Sequence, residues 1–311
     1  VGHYIFQQLP RYLTADHKLP SRGGDPKEYR RRLYRNARLA VSCIEVLTDP
    51  ADSDFGHVFA THHYDHGHHT LPGGERSQNE LLHEPEFIDF FSSVMFDDTH
   101  SPFEKNVEDS IAYRKMLERA GRRKVLEGCL EEVAAGGQGL AASPFTNPAR
   151  IAEYLEKTGF ELVVPNIGTE SIHARAVGVQ WKVLEEIDRL GVGHRLIVHG
   201  FSSIRTLSVA EQRRLGTLGV VGMNAWSYIP QSIGPKLLER AEQIRRHHDA
   251  EKGYPVGFDA DQRPVYDASR DANVFFGPIL DQVRDLKVSA IAESVYQILA
   301  NLGYERLASS R

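Results

Sequence analysis

Residues 90–108 read FFSSVMFDDTHSPFEKNVE and join a short apolar run, two aspartates and the beginning of an amphipathic segment. The apolar run at 90–98 predicts a buried strand, and the periodicity that follows predicts a helix over 104–120. Asp97 and Asp98 then stand at the end of a strand that leads into a helix. This stretch therefore predicts a βα unit with polar groups at the carboxyl end of its strand.

The same pattern recurs along the chain. Further candidate strands cover residues 3–9, 57–66, 124–133, 161–167, 195–201 and 220–226, and further candidate helices cover 27–48, 147–158, 176–190 and 207–215. Repeated βα units with several buried strands predict an α/β fold with a parallel sheet. Seven strands are one short of a (β/α)8 TIM barrel, so we expect that barrel with its first βα unit missing or altered at the N-terminus. An open, doubly wound sheet is the alternative.

Two of the predicted helices carry clear boundary signals. Asn147 is placed to cap a helix that has Pro148 in its first turn and Gly159 at its end. Ser208, with Glu211 three residues on, is typical of a capping box. Beyond residue 230 the pattern changes to helices at 232–249 and 277–302. We expect a single barrel domain over 1–311, with a core at about 1–230 and a C-terminal helical extension at about 231–311.

Composition narrows the functional classes. The 311 residues carry a formal net charge of −5 and 41 % hydrophobic residues, without the basic face of a nucleic-acid-binding protein. No apolar run reaches the roughly 18–20 residues that span a bilayer. Two cysteines offer no disulfide framework, which favours a reducing cytoplasm. The chain begins at Val1 without a methionine or a signal peptide, and we expect the missing strand to precede it.

Histidines and acidic residues fall at the carboxyl ends of separate predicted strands, the ends that meet at one face of a barrel and build its active site. His66, His173 and His199 offer three imidazole nitrogens to Zn2+ and leave an open position for a substrate oxygen. Asp65 is placed to transfer protons. The neighbouring histidines are predicted to be bystanders: His62, His63, His68 and His69.

At these residues the chain resembles the class II, metal-dependent fructose-bisphosphate aldolase family, over about residues 57–230. The motifs are YDHGHH (64–69), FSSVMFDDTHSPFEKNVE (91–108), LEEVAAGG (130–137), NIGTESIHA (166–174), IVHGFSSI (197–204) and VVGMNAWS (220–227). Their order and spacing make the resemblance specific. It implies a TIM barrel, a zinc cofactor, a small carbonyl or sugar substrate, and assembly into a homo-oligomer, a dimer or a tetramer.

The resemblance also implies roles for individual residues. Asp65 matches the catalytic aspartate, and the catalytic zinc ligands match His66, His173 and His199. Acidic residues that hold or approach a second position of the mobile zinc match Asp97 and Glu131. The positions that bind the ketose phosphate match Gly200, Ser202, Asn224 and Ser227.

The chain departs from the family pattern around the substrate. Phe201 replaces the second glycine of the phosphate-binding loop, and Trp226 replaces an aspartate in the last strand motif. Gln138 and Gly139 stand where the family has acidic residues, one of them its proton-abstracting base. These changes predict a substrate other than fructose bisphosphate.

Three further residues are candidates for the altered functions. Glu132 or Glu170 is a candidate replacement base, and Arg205 is a candidate anchor for a phosphate or carboxylate. The alternatives are that the two glutamates are a carboxylate that faces solvent and a cap of a loop, and that Arg205 is a solvated arginine at the start of a helix. The leading functional expectation is a divergent zinc-dependent aldolase-like lyase. The alternatives are a zinc-dependent epimerase or isomerase, and a non-catalytic partner subunit.

Overall fold

The structure, a computed structural model, describes 26–49, 51, 61–70, 80–131, 145–169, 178–200, 204, 206–224, 234–240, 242–243, 257–258, 260–261, 264–265 and 280–302. The chain divides into two compact units, Val1–Trp226 and Ser227–Arg311. The predicted strand at 3–9 lies outside the described residues. In the described part of the chain, no helix is long and apolar enough to cross a membrane.

The first unit is built on a parallel sheet of six strands with helices between them. The strands are β1 (His63–His68), β2 (Ser93–Asp97), β3 (Val125–Cys129), β4 (Leu162–Val164), β5 (Leu196–Val198) and β6 (Val220–Met223). The helices of this unit are α1 (Pro26–Leu47), α2 (Pro85–Ile88), α3 (Phe103–Arg119), α4 (Pro148–Thr158), α5 (Trp181–Arg189) and α6 (Val209–Thr217), and a 3-10 turn covers Glu80–His83. The predicted α/β fold on a parallel sheet is confirmed.

Strand order separates the two expected architectures. Each strand pairs with the next one in sequence, in the order β1-β2-β3-β4-β5-β6, and every pair is parallel. A doubly wound sheet reverses its order at a switch point, and among these six strands the order never reverses. The order is that of consecutive strands in a (β/α)8 barrel.

The sheet is strongly curved. In a flat sheet, β1 and β6 would lie about 24 Å apart, since neighbouring strands are spaced by about 4.8 Å. Instead the side chain of Asn224, the residue after β6, lies 3.3 Å from the Asp65 carboxylate in β1. The concave face of the sheet therefore brings the ends of its two outermost described strands together.

The two faces of the sheet have different partners. Apolar side chains from β2 to β5 form a cluster on the concave face: Met95, Cys129, Leu162, Val164 and Ile197. On the convex face Tyr64 packs edge-on against Phe87 and Phe91, and Phe96 stacks on Tyr113 of α3 at 4.7 Å. Helices cover the outside while the concave face keeps a small core and a set of polar strand ends.

Local signals in the sequence explain several helix boundaries. The Asn147 side chain accepts a hydrogen bond from the backbone of Ala149 at the start of α4, and Gly159 ends that helix with a φ of 66°. Ser208 and Glu211 form the predicted capping box at the start of α6. These caps satisfy backbone groups that the first and last helical turns leave without a partner.

The second unit contains a short antiparallel pair, β7 (Gly257–Phe258) with β8 (Pro264–Val265), and the long helix α7 (Leu280–Asn301). Helical backbone also covers 234–240 and 242–243, within the predicted helix at 232–249. The helix predicted at 277–302 agrees with α7 over its described residues. That all 311 residues form one domain stays a prediction.

Candidate functional site

A β-bulge in β1 creates the centre of the candidate site. Tyr64 pairs with Val94 and Gly67 with Phe96, so two residues of β1, Asp65 and His66, face one residue of β2. His66 has a φ of 49°, the left-handed region that residues with a side chain seldom adopt. A bulge redirects side chains, and such bulges are common beside active sites. Here it brings ligand atoms of the two consecutive residues Asp65 and His66 to within 4.8 Å of each other.

Asp65 is held between the two edges of the curved sheet. Asp65 is only 3 % exposed. The side-chain amide nitrogen of Asn224 lies 3.5 and 3.3 Å from the two carboxylate oxygens of Asp65. Asn224 itself continues the sheet, because its backbone amide donates to the carbonyl of Val198 in β5. The fold thus orients an ionisable carboxyl group with an amide donor from the opposite edge.

Two histidines join this carboxylate. The His66 and His199 rings lie edge to face with centroids 4.9 Å apart, although they belong to β1 and to the residue following β5. Ligand atoms of Asp65, His66 and His199 all lie within 4.8 Å of one another. Two imidazoles and a carboxylate at this spacing form a donor set suited to zinc.

A buried carboxylate supports this group from inside the sheet. Glu127 in β3 lies between two imidazoles: one of its oxygens is 3.5 Å from His199 Nε2 and the other is 3.9 Å from His63 Nε2. Among the described residues, His199 Nε2 and one Glu127 oxygen have no hydrogen-bond partner. His63 is fixed in turn by Ser93, 2.8 Å from its Nδ1 atom. Neither His63 nor Glu127 was predicted to belong to the site.

A second donor group shares His66. His66 Nδ1 and His68 Nδ1 lie 2.9 and 3.3 Å from the same oxygen of Asp97, and ligand atoms of the three residues lie within 4.8 Å of one another. The other oxygen of Asp97 accepts a hydrogen bond from the Thr99 hydroxyl at 2.8 Å. The sequence interpretation treated His68 as a bystander, and the structure places it beside two predicted metal ligands.

The charges in this group stabilise one another. Burial alone would lower the pKa of His66, but the carboxylates of Asp65 and Asp97 outweigh it and raise that pKa to about 9. Burial would raise the pKa of Asp97, but His68 and His66 hold it well below its usual range. In the metal-free protein a proton therefore occupies His66 at neutral pH, and a metal ion that binds this ring displaces it.

Other predicted residues take separate places. The carboxylate of Glu131 accepts a hydrogen bond from the Thr146 hydroxyl, and burial raises the pKa of Glu131. Among the described residues, neither metal-capable group includes Glu131. Gly200 follows His199 with a φ of 79°, a conformation that suits glycine. The following predicted site residues lie outside the described residues: Glu132, Glu170, His173, Ser202, Arg205 and Ser227.

Comparison with known proteins decides the family. The family model described as fructose-bisphosphate aldolase class-II matches residues 29–272. The chain belongs to this family. The match spans the whole six-stranded sheet and both donor groups, so the predicted family membership is confirmed.

Curated members of the class II aldolase family match a shorter region. Fructose-bisphosphate aldolase of Staphylococcus aureus is 33 % identical over 133 residues, which are 41 % of this chain and 44 % of that protein. The Staphylococcus epidermidis enzyme is 33 % identical over 132 residues, with the same coverage. The matched region thus spans less than half the length of these relatives.

Solved aldolase structures share the fold. Fructose-bisphosphate aldolase from Campylobacter jejuni superposes with a TM-score of 0.56 at 15 % identity and covers 87 % of this chain and 76 % of its own. The YdjI aldolase from Escherichia coli gives a TM-score of 0.50 at 18 % identity, covering 87 % of this chain and 75 % of its own. At these identities the likeness concerns the fold alone.

Proposed function

We propose that this chain is a divergent aldolase-like lyase that uses Zn2+ in aldol or retro-aldol chemistry. The substrate would be a sugar or sugar-phosphate-like compound other than fructose bisphosphate. The observation that carries the proposal is the convergence of Asp65 and His66, at the bulge of β1, with His199, directly after β5, in a chain of this family.

The donor set fits a zinc ion. His66 and His199 would hold it together with His173, leaving a position for a substrate oxygen. When bound, zinc supplies a Lewis acid that polarises a carbonyl and stabilises the negative charge that develops on its oxygen. Glu127 would hold the His199 ring through the nitrogen that faces away from the ion.

Asp65 would move the proton. During cleavage its carboxylate accepts the proton of the substrate hydroxyl as the C–C bond breaks, and during condensation it returns that proton to the aldehyde oxygen. The Asn224 amide orients the carboxylate for both directions. An Asp65 that ligates the metal is not available for this transfer, so the proposal gives the third ligand position to His173.

The substrate pocket would differ from that of the family. Phe201 and Trp226 would make it smaller and drier where a phosphate dianion is bound in other members. Arg205 would anchor a phosphate or carboxylate from another direction. Glu132 or Glu170 would abstract the proton that the family's acidic residue takes, since Gln138 and Gly139 occupy that position.

The test is substitution of the proton-transfer group. Zinc-loaded full-length protein is incubated with ketoses and ketose phosphates, and cleavage to aldehyde is followed by proton NMR. Asp65→Asn should reduce kcat by roughly 100- to 10,000-fold, the range that general acid–base catalysis contributes. Asp89→Asn is the matched control, because Asp89 forms an exposed ion pair with Arg122. Equal rates for Asp65→Asn and the unmodified protein would contradict the proposed role.

Enolate chemistry without C–C cleavage is the second candidate, favoured by the loss of the family's acidic residues at positions 138 and 139. An epimerase or isomerase would exchange a substrate C–H proton for deuterium in heavy water without releasing an aldehyde. A non-catalytic partner subunit would do neither with any substrate of the panel. Assembly into a homo-oligomer and a reducing cytoplasmic location remain part of this proposal.

A further inference from the structure

The helix α1 has two different faces. Its inner face packs on the first unit: Leu33 is 4 % exposed and Ala37 is fully buried. Tyr34 anchors the same face, since its ring lies edge-on against Phe87 at 5.1 Å and its hydroxyl donates to Glu84 at 2.8 Å. One side of α1 is therefore held by the protein, and the other side faces outward.

The outward face of α1 begins with a stripe of arginines. Arg31, Arg35 and Arg38 are exposed and follow one another at intervals of four and three residues, so they lie on successive turns of the same face. The whole helix carries six basic and two acidic residues, a net charge of +4, in a chain whose net charge is −5. The positive charge is therefore a local feature of α1.

An apolar stripe continues this face toward the end of the helix. Leu39 and Val46 are 62 % and 71 % exposed, the two most exposed large apolar side chains among the described residues of the first unit. Cys43, which is also exposed, lies between them at the same intervals of four and three residues. Covering such side chains removes apolar surface from water, which is favourable. Arginines and apolar side chains thus lie side by side over residues 31–46.

We infer that this face of α1 binds the surface of a membrane that contains anionic phospholipids. A guanidinium group binds phosphate oxygens through paired N–H donors. Basic side chains are attracted to an anionic leaflet, and apolar side chains of the same helix enter the boundary between headgroups and acyl chains. The contact is peripheral, because the inner face of α1 stays packed on the protein.

Other partners match this face less well. The phosphate backbone of a nucleic acid would pair with the arginines but would leave Leu39 and Val46 in water. A stable protein–protein interface takes about 800 Å2 from each partner, far more than two apolar side chains and a row of arginines provide. Two copies of the chain that met through α1 would bring two helices of net charge +4 together. An anionic lipid surface satisfies both stripes at once.

Co-sedimentation of the full chain with lipid vesicles tests the inference. The unmodified chain should bind vesicles of equimolar phosphatidylcholine and phosphatidylserine but not vesicles of phosphatidylcholine alone, and added salt should weaken this binding. Arg35→Gln/Arg38→Gln should lower the partition coefficient roughly 25-fold, because each basic side chain near an anionic surface contributes a factor of about five. Leu39→Ser/Val46→Ser should also weaken binding but leave its salt dependence unchanged.

Two further variants serve as controls. Arg189→Gln/Arg213→Gln removes two exposed arginines of α5 and α6 and should bind vesicles as the unmodified chain does. Arg35→Lys/Arg38→Lys keeps the charge of α1 and should retain most of the binding. None of these variants alters a donor group, so their zinc content should be equal.

Equal binding of every variant, or no binding to the anionic vesicles, would overturn the inference. If the vesicles are not bound, poly-uridine binding or self-association of the chain that Arg35→Gln/Arg38→Gln abolishes would assign the face to RNA or to a second copy instead. None of these outcomes bears on the proposed aldol chemistry, whose separate readout is substrate cleavage.

Discussion

Glu127 is a carboxylate enclosed by the sheet, with an imidazole on each side. Burying a polar group is costly unless polar neighbours compensate for the lost water, and here the Nε2 atoms of His63 and His199 lie 3.9 and 3.5 Å from its two oxygens. A metal-ligating histidine commonly directs its second ring nitrogen to a carboxylate, which fixes its tautomer and strengthens it as a ligand. Glu127 therefore has the geometry of a positioning residue for His199.

Substitution of this carboxylate should weaken metal binding while the shape of the side chain is preserved. We expect Glu127→Gln to reduce zinc affinity by roughly ten- to a hundredfold. Competition with a chelator measures the zinc affinity of the purified protein. Glu153→Gln is the control, because Glu153 forms an exposed ion pair with Lys157. An unchanged zinc affinity together with a lowered melting temperature would assign Glu127 a purely structural role.

At the scale of elements, the packing of β3 against α4 depends on a missing side chain. A Cβ atom at Gly128 would lie 2.2 Å from the Tyr154 hydroxyl oxygen and 2.4 Å from its ring. Tyr154 has no room to retreat, since it is fully buried and its hydroxyl lies 2.8 Å from Ser110 Oγ. Strand and helix therefore approach as closely as only glycine permits.

We expect Gly128→Ala to destabilise the fold by about 1–3 kcal/mol, the usual cost of overpacking a close-packed interior. Urea unfolding followed by circular dichroism gives the change in free energy. Gly234→Ala is the matched control: its added Cβ meets nothing within 4 Å, and its backbone is helical. That control should be neutral or stabilising by up to about 1 kcal/mol. Equal stability of the two variants would contradict this expectation, because it would show that the Tyr154 side chain moves aside for the added Cβ atom at little cost.

Some features of the secondary structure could be predicted from neighbouring residues in the sequence, whereas others depend on contacts between distant segments. The caps at Asn147 and Ser208 could be identified because a side chain satisfies backbone groups within its own segment. The Asp65–His66 bulge depends on the register with β2, which no local pattern encodes. The short helix α2 was not predicted, because four residues are too few to display a helical period.

In the candidate site, too, some residues could be predicted from the sequence and others could not. Asp65, His66 and His199 were predicted because polar residues at parallel strand ends meet at one edge of the sheet. Glu127 escaped prediction because it lies within β3, where a lone acidic residue in an apolar run carries no distinguishing signal. That His68 is a bystander stays a prediction, which rested on alternation along β1; the bulge shifts this alternation and places His68 Nδ1 3.3 Å from Asp97 Oδ2.

At the scale of the whole molecule, the donor group that contains His199 connects the first strand of the described sheet with the fifth. An ion held by His66 and His199 would bridge strands that are far apart in sequence, and a ligand that binds only the folded state stabilises it by mass action. At a free zinc concentration one hundred times the dissociation constant, this stabilisation is about 2.7 kcal/mol. Metal removal should therefore lower the unfolding free energy of the first unit by about this amount.

Two urea titrations measure the coupling between zinc binding and stability. One is made with free zinc buffered at one hundred times its dissociation constant, and the other in excess chelator. The unmodified chain should show a higher midpoint in zinc. His66→Gln should show the same midpoint in both, because His66 belongs to both donor groups and its loss removes each of them. His62→Gln serves as the control: His62 packs on Phe91 outside both groups and should keep the full difference. If zinc stabilised His66→Gln as much as the unmodified chain, the ion would be bound elsewhere among the 15 histidines, and the strand ends would not be the metal site.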